Sequence, residues 1–339
     1  MKRILARIGL VFHRTPVLLF LVVMLAAFAI IAPLFFRPAN LLNVLRQASA
    51  IGILAIGQTI VVLVGGIDLS VASIMQLAGV TIAELTKGTN DLVLPVILLV
   101  LAMGAGIGAF NGFLVTKRRV QPFIATLFVG LLVTGLRLWV TKATPSGILP
   151  PAIRTFGRGG IGPVPFAVIF FLAIAVTVGI ILSRTTLGRR IYAVGGNARA
   201  AEMSGVRVHR VTIAAYVFCG LLAAIAGLVL VGYLGYADQE IGDGYDLDSI
   251  AAVVVGGAVL GGGIGSVAGT VAGVLLMTAL LNLVLILNLP VQFQLVVRGA
   301  VILAAVSFYS AKRMTVLRGK LHGVLTNLAT SADRREGGA

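Results

Sequence analysis

RTTLGRRIYAVGGNARAAEMSGVRVHR, residues 184–210, separates two apolar runs and carries six arginines against one acid, Glu202. Positive charge beside apolar spans marks the cytoplasmic side of a membrane. The segment therefore reads as a cytoplasmic loop, and its flanks as helices that cross a bilayer. Within it, Ala193-Val194-Gly195-Gly196-Asn197 precedes a small-residue run from Ala198 to Ser204-Gly205. In a chain made largely of spans, a short helix-turn element of this kind suits a grip for another protein.

Composition supports the same class. Of 339 residues, 59% are hydrophobic and 11% charged, which describes a polytopic membrane protein rather than a soluble domain. Strand-like alternation is missing, so an outer-membrane barrel is disfavoured and the fold class is all-α. The net charge of +16 is not spread as a nucleic-acid footprint: Lys and Arg gather at 1–16, 117–119, 184–210 and 311–339, which hold 19 of the 27. Asp238, Glu240 and Asp243 instead occupy a segment without basic residues. Cys219 stands alone in an apolar run, and His13, His209 and His322 have no ligand-spaced neighbours, so neither a disulfide nor a metal site is expected.

Turn signals and charge flanks place about ten helices, near 17–36, 44–64, 69–87, 93–116, 122–142, 164–183, 211–234, 248–262, 264–288 and 291–310. Residues 1–16 then form a basic cytoplasmic N-terminus, 17–310 the membrane domain with its loop at 184–210, and 311–339 a basic cytoplasmic tail. The run from Val17 is long enough to span, so it is read as an uncleaved first helix rather than a signal peptide. Arg154 and Arg158 fall in an expected external loop at 143–163, against the charge trend.

Two places look interrupted: Gly65-Gly66-Ile67-Asp68-Leu69-Ser70 and Gly261-Gly262-Gly263-Ile264-Gly265. Each reads either as a broken helix lining a protein interior or as a tight turn at the membrane surface. Asp68-Leu69 and Asp246-Leu247 each lead into an apolar helix in opposite halves, a hint of an inverted five-helix repeat. Glycines recur every four residues at Gly104, Gly108 and Gly112, and at Gly257, Gly261, Gly265, Gly269 and Gly273. On a helix that spacing forms one face along which backbones approach closely. Gly263-Ile264-Gly265 loosely matches a dinucleotide fingerprint but follows no soluble strand, and the chain has no phosphate-binding P-loop sequence.

Catalytic constellations are absent, and the chain is read as a non-enzyme. The polar residues in or beside the spans include Asp68, Ser70, Ser73, Gln76, Glu84, Asn111, Thr126, Arg137, Asn282, Gln292, Gln294 and Arg298. A charge at the bilayer centre costs about 2.5–3.5 kcal/mol on insertion scales, so such groups face a partner or a cavity. Asp68, Ser70, Ser73, Gln76, Asn111, Thr126 and Asn282 are candidates for a pathway suited to a neutral hydroxylated solute, although taken singly such a residue is more often an interhelical tie.

The chain resembles the inner-membrane permease subunits of bacterial ABC importers for monosaccharides, nearest to the ribose permease subunits. Matching stretches are Ala55-Ile-Gly57-Gln-Thr59 through Gly66-Ile-Asp-Leu-Ser70-Val71, Arg119-Val-Gln121 with Phe123-Ile-Ala-Thr-Leu127, and Thr186-Leu-Gly-Arg189. They continue with Ile191-Tyr-Ala-Val-Gly-Gly-Asn197, Ser204-Gly205-Val206 and Gly244 to Ala252 and Gly257. The likeness runs over about residues 30–310; Ala72, Pro122 and Ala258 depart from the family's usual residues.

The resemblance implies a pair of permease subunits, identical or paralogous, in the bacterial inner membrane with both termini cytoplasmic. It implies a cytoplasmic ATP-binding subunit, often two fused ATPase domains, that uses ATP and Mg, and a periplasmic sugar-binding protein; this chain carries no cofactor. Gly195, Gly196, Asn197, Ala200, Ala201, Ser204 and Gly205 then become the element that couples to the ATPase. Relatives of this architecture that carry nucleosides, a furanosyl signalling molecule or branched-chain amino acids are the nearest alternatives, and an ion-coupled secondary transporter the next.

Overall fold

The computed structural model describes residues 16–144, 147–290, 292–301 and 303. The basic segments expected at 1–16 and 311–339, with His13 and His322, lie outside the described residues save Pro16. In chain order the helices are α1 (Pro16–Ile31), α2 (Pro38–Leu63), α3 (Val71–Thr86), α4 (Val93–Thr116), α5 (Pro122–Thr141) and α6 (Pro151–Arg158). Then follow α7 (Phe166–Arg184), α8 (Thr186–Gly196), α9 (Ala198–Met203), α10 (Val208–Leu234), α11 (Tyr245–Val255) and α12 (Val267–Ile286). A last helical stretch covers 292–301. A two-residue hairpin, Gly160–Ile161 with Val164–Pro165, is the strand content of the described residues.

The protein is an all-α polytopic membrane protein. Among the described residues, six helices are long and apolar enough to span a bilayer: α2, α4, α5, α7, α10 and α12. The apolar part of α1, Phe20–Ile31, and α3 are shorter. Proline supplies the first residue of α2, α5 and α6, where its missing N–H costs nothing and its fixed φ favours the helix. This moves two expected boundaries. The first helix stops at Ile31, ahead of a 3-10 turn at Pro33–Phe36, and α2 starts at Pro38 rather than near 44.

A larger correction concerns the second interruption. The expected helices at 248–262 and 264–288 are separated by a full turn region at 256–266. Gly257, Gly262 and Gly263 have φ of +95°, +88° and +75°, which L-residues with a Cβ disfavour. Gly261 and Gly265 therefore share no helical face with Gly269 and Gly273; a fourfold period also fits a turn made of glycine.

The remaining glycine seams bring backbones into contact. A Cβ on Gly104 would stand 2.5 Å from the Gly220 carbonyl oxygen of α10, one on Gly108 2.2 Å from the Tyr216 oxygen, and one on Gly112 2.7 Å from the Ile213 Cα. Gly269 and Gly273 of α12 likewise face the Gly256 and Ala252 carbonyls, at 2.0 and 2.1 Å from a built Cβ. Close approach of this kind maximises van der Waals contact where lipid removes any hydrophobic drive between helices.

α10 is the central helix, packing on α2, α3, α4, α6 and α8. The pairings also repeat between halves. α2 crosses α10; α4 and α3 pack on α10 as α12 and α11 pack on α2, and α3 meets α4 as α11 meets α12. That exchange of partners is what two halves related by a two-fold axis produce. The helix α6 covers the end of α10. Gly157 abuts Gly232, and Arg158 donates to the carbonyls of Tyr233 at 2.9 Å and of Leu234, closing the C-terminal turn with a cation. This contact explains an arginine that runs against the charge trend.

The seam between α4 and α10 yields a direct test. Gly104→Val should lower the thermal unfolding midpoint in detergent, because the Gly220 carbonyl cannot yield without separating the helices. Gly106→Ala, whose Cβ meets nothing within 4 Å, should leave it unchanged or raise it. Equal effects at the two positions would contradict the packing.

Candidate functional site

Two ends of the bundle carry distinct chemistry. At the first end lie the interruption at 64–70, the α4–α5 turn at 117–121, the segment 184–207 and the interruption at 256–266. At the other lie the turn at 87–92, residues 142–144 and 147–165, and the loop at 235–244.

Within the interruption at 64–70, Gly65 is exposed, whereas Gly66, Asp68, Leu69 and Ser70 are buried, Asp68 and Ser70 fully. Buried backbone that leaves a helix must be bonded by the protein itself. Here four helices supply the bonds. From α2, the Gln58 carboxamide, its oxygen and nitrogen assigned to fit its partners, donates to the Asp68 carbonyl and accepts from the Asp68 N–H, both at 3.2 Å. From α5, Thr126 Oγ1 accepts the Leu69 N–H at 3.0 Å, and from α10 the Tyr216 hydroxyl donates to the Ile67 carbonyl at 3.3 Å. Asp68 Oδ1 accepts from the Ser70 N–H at 2.9 Å and the Ser70 hydroxyl at 2.6 Å. From α4, Asn111 Nδ2 donates to Ser70 Oγ at 2.8 Å and lies 3.4 Å from Asp68 Oδ1.

A second network occupies the opposite end. Arg137 of α5, 4% exposed, donates to Gln76 Oε1 of α3 at 2.9 Å, to the Gln239 carbonyl at 3.1 Å and to the Gln239 side chain. Gln76 in turn donates to Asp243, and Gln239 to Thr141 Oγ1 at 2.7 Å. This fastens the acidic loop across α3 and α5. Ser73 bonds Thr134 at 3.0 Å along the same pair of helices.

The seven pathway candidates thus fall in three places. Asp68, Ser70, Asn111 and Thr126 form one cluster; Ser73 and Gln76 join α3 to α5 and its loop; Asn282 accepts from Asn40 at 3.0 Å, tying α12 to α2. Within this chain each bonds a neighbouring element. Sequence reasoning missed Gln58, Tyr216 and Asn40 as partners, and Thr59 with Thr270, whose hydroxyls meet at 2.7 Å between α2 and α12. Their one sequence signal is a polar group inside an apolar run, which names no partner.

The segment 184–207 folds as two short helices. Thr185 caps α8 by accepting the Gly188 N–H at 3.2 Å, and Asn197 caps α9 by accepting the Ala200 N–H at 3.0 Å. Gly205, at φ +82°, ends α9, with the Val206 N–H bonded to the Ala201 carbonyl at 3.0 Å. Ile191, Val194 and Ala201 are buried against the bundle. The residues singled out in the sequence divide here: Gly195 and Ala201 turn inward, whereas Gly196, Asn197, Ala200, Ser204 and Gly205 are exposed beside Met203, which is 89% exposed.

A helical bundle with two glycine-rich interruptions and an arginine-rich two-helix projection is the architecture of a polytopic membrane protein. Residues 40–306 match the family described as branched-chain amino acid transport system / permease component, and the chain belongs to that family. It is 41% identical to the ribose import permease protein RbsC of Escherichia coli (strain K12), over 85% of this chain and 91% of that protein. It is likewise 41% identical to RbsC of Bacillus subtilis (strain 168), over 85% and 89%. The L-arabinose ABC transporter permease protein AraH of Azospirillum brasilense is 31% identical, over 89% and 88%. No solved structure matches the chain.

The Asp68 cluster predicts energetic coupling. Asn111→Ala should cost about 1–3 kcal/mol by leaving the buried Ser70 Oγ without its donor. Combined with Ser70→Ala, it should cost less than the sum, by at least about 0.5 kcal/mol, in a double-mutant unfolding cycle. Strict additivity would contradict the shared network.

Proposed function

We propose that this chain is the transmembrane subunit of an ATP-driven, binding-protein-dependent importer that carries a monosaccharide, ribose or a related sugar, across the bacterial inner membrane. The observation that carries the reading is the projection at 184–207: a capped two-helix element anchored by Ile191, Val194 and Ala201 that presents Gly196, Ala200 and Met203 outward. Small residues around one exposed methionine suit insertion into a groove on another protein. The first end of the bundle, including that projection, carries nine Lys and Arg in 117–119 and 184–210, with Glu202 as the acid on those two segments. By the positive-inside rule it faces the cytoplasm.

In this reading two permease subunits, identical or paralogous, sit above an ATP-binding subunit, with two ATPase domains fused or separate, that holds ATP and Mg. A periplasmic binding protein delivers the sugar to the acidic end. ATP-driven closure of the ATPase domains displaces the projection and tilts the spans, opening the pathway alternately to each side. The relatives named for ribose and L-arabinose support a sugar as the solute, as does the xylose transport system permease protein XylH of Escherichia coli (strain K12), 33% identical over 81% of this chain.

Proteoliposomes holding the chain with its ATPase and binding protein should take up labelled ribose or a sibling pentose only with ATP inside. Uptake by the chain without ATPase would overturn the proposal. Gly196→Trp places its side chain in open space, so it should insert and fold normally yet abolish ATP-dependent uptake. Uptake at the wild-type rate would remove the projection from the coupling role.

A further inference from the structure

The inward side of α8 meets the end of α2 and the second interruption, and the second interruption in turn touches the first at Gly65. Leu63 ends α2, so its carbonyl has no partner within that helix. The Gly263 N–H of the second interruption donates to it at 2.9 Å. Gly195 sits directly over that bond: a Cβ there would stand 1.8 Å from the Leu63 oxygen and 2.4 Å from the Gly263 nitrogen. A Cβ on Gly262 would be 2.9 Å from both the Gly195 Cα and the Gly65 nitrogen of the first interruption. One turn earlier in α8, the Tyr192 hydroxyl donates to the Gly265 carbonyl at 2.9 Å.

We propose that α8 and the two interruptions, 64–70 and 256–266, form a single joint that moves as one body, with Tyr192 as the positioning residue that ties the second interruption to α8. The inference rests on the coupling role proposed above and specifies how displacement passes beyond the docking face. Where Gly195 meets Leu63 and Gly263, the contact runs backbone on backbone with no side chain to compress, and packed interiors transmit strain. The first interruption leads to α3 through the Asp68 cluster, which also holds α4 and α5. The second joins α11 to α12, where Ser266 caps the helix by accepting the Gly269 N–H at 3.1 Å. A push on α8 thus reaches corresponding helices of both halves at once, as a two-sided gate requires.

Tyr192→Phe removes one hydroxyl and keeps the ring. In the complete importer reconstituted in proteoliposomes, ATP hydrolysis should persist, whereas sugar moved per ATP should fall about fivefold, the worth of one lost hydrogen bond. A spin label on a cysteine replacing Ile264, which is 61% exposed, should change mobility with nucleotide in the otherwise unaltered protein, and respond weakly in Tyr192→Phe. Gly195→Ala should show the same loss of sugar per ATP if the joint is what matters. An unchanged transport ratio in Tyr192→Phe, or an Ile264 response indifferent to it, would overturn the joint while leaving the coupling role intact. Import by the unaltered complex without ATP would sink both.

Discussion

Non-helical backbone buried inside a membrane protein has no water to bond, and every peptide group it exposes must find a partner in the chain. The stretch Gly66 to Ser70 is where this constraint bears hardest. Gln58, Asn111, Thr126 and Tyr216 reach it from four helices, and the amides of Gly65 and Gly66 fold back onto the Val62 and Val61 carbonyls. Those helices are thereby fixed relative to one another by directional bonds. The exposed apolar surface that α5 and α7 display along most of their length cannot provide such register.

Glycine supplies the complementary half of the design. Where Gly104, Gly108 and Gly112 meet α10, backbone replaces side chain at the contact, and the same substitution recurs where Gly195 meets Leu63 and Gly263. A contact made of backbone is short and stiff. It serves equally well to hold two spans together and to carry displacement from a surface helix to the interior. The bundle therefore combines rigid seams with two flexible-looking glycine turns that are in fact locked against each other.

Much of this was legible from residues alone. Clustered arginines located the projection at 184–210, and the GxxxG spacing at 104–112 identified a seam, because on a continuous helix that period has one geometric outcome. The same period misled at 257–265, where Gly257, Gly262 and Gly263 adopt positive φ and a turn has no faces, but held at Gly269 and Gly273 on α12. Asp68, Ser70, Asn111 and Thr126 stood out as polar residues among apolar ones, but their convergence depends on which helices cross. The different roles of Gly195 and Gly196 had no signal in sequence: adjacent glycines look alike until one is seen under the Leu63 carbonyl and the other in open space. Arg158 read as an anomaly until α6 placed it on the end of α10.

Amide hydrogen exchange of the membrane-embedded protein tests the buried interruption most directly. Leu69 and Ser70 should exchange as slowly as the middle of α2, since Thr126 and Asp68 accept their N–H groups in a site without solvent. Exchange as fast as that of an exposed turn such as Thr89-Asn90 would show that the interruption is an ordinary surface loop, and the account built on it would fail.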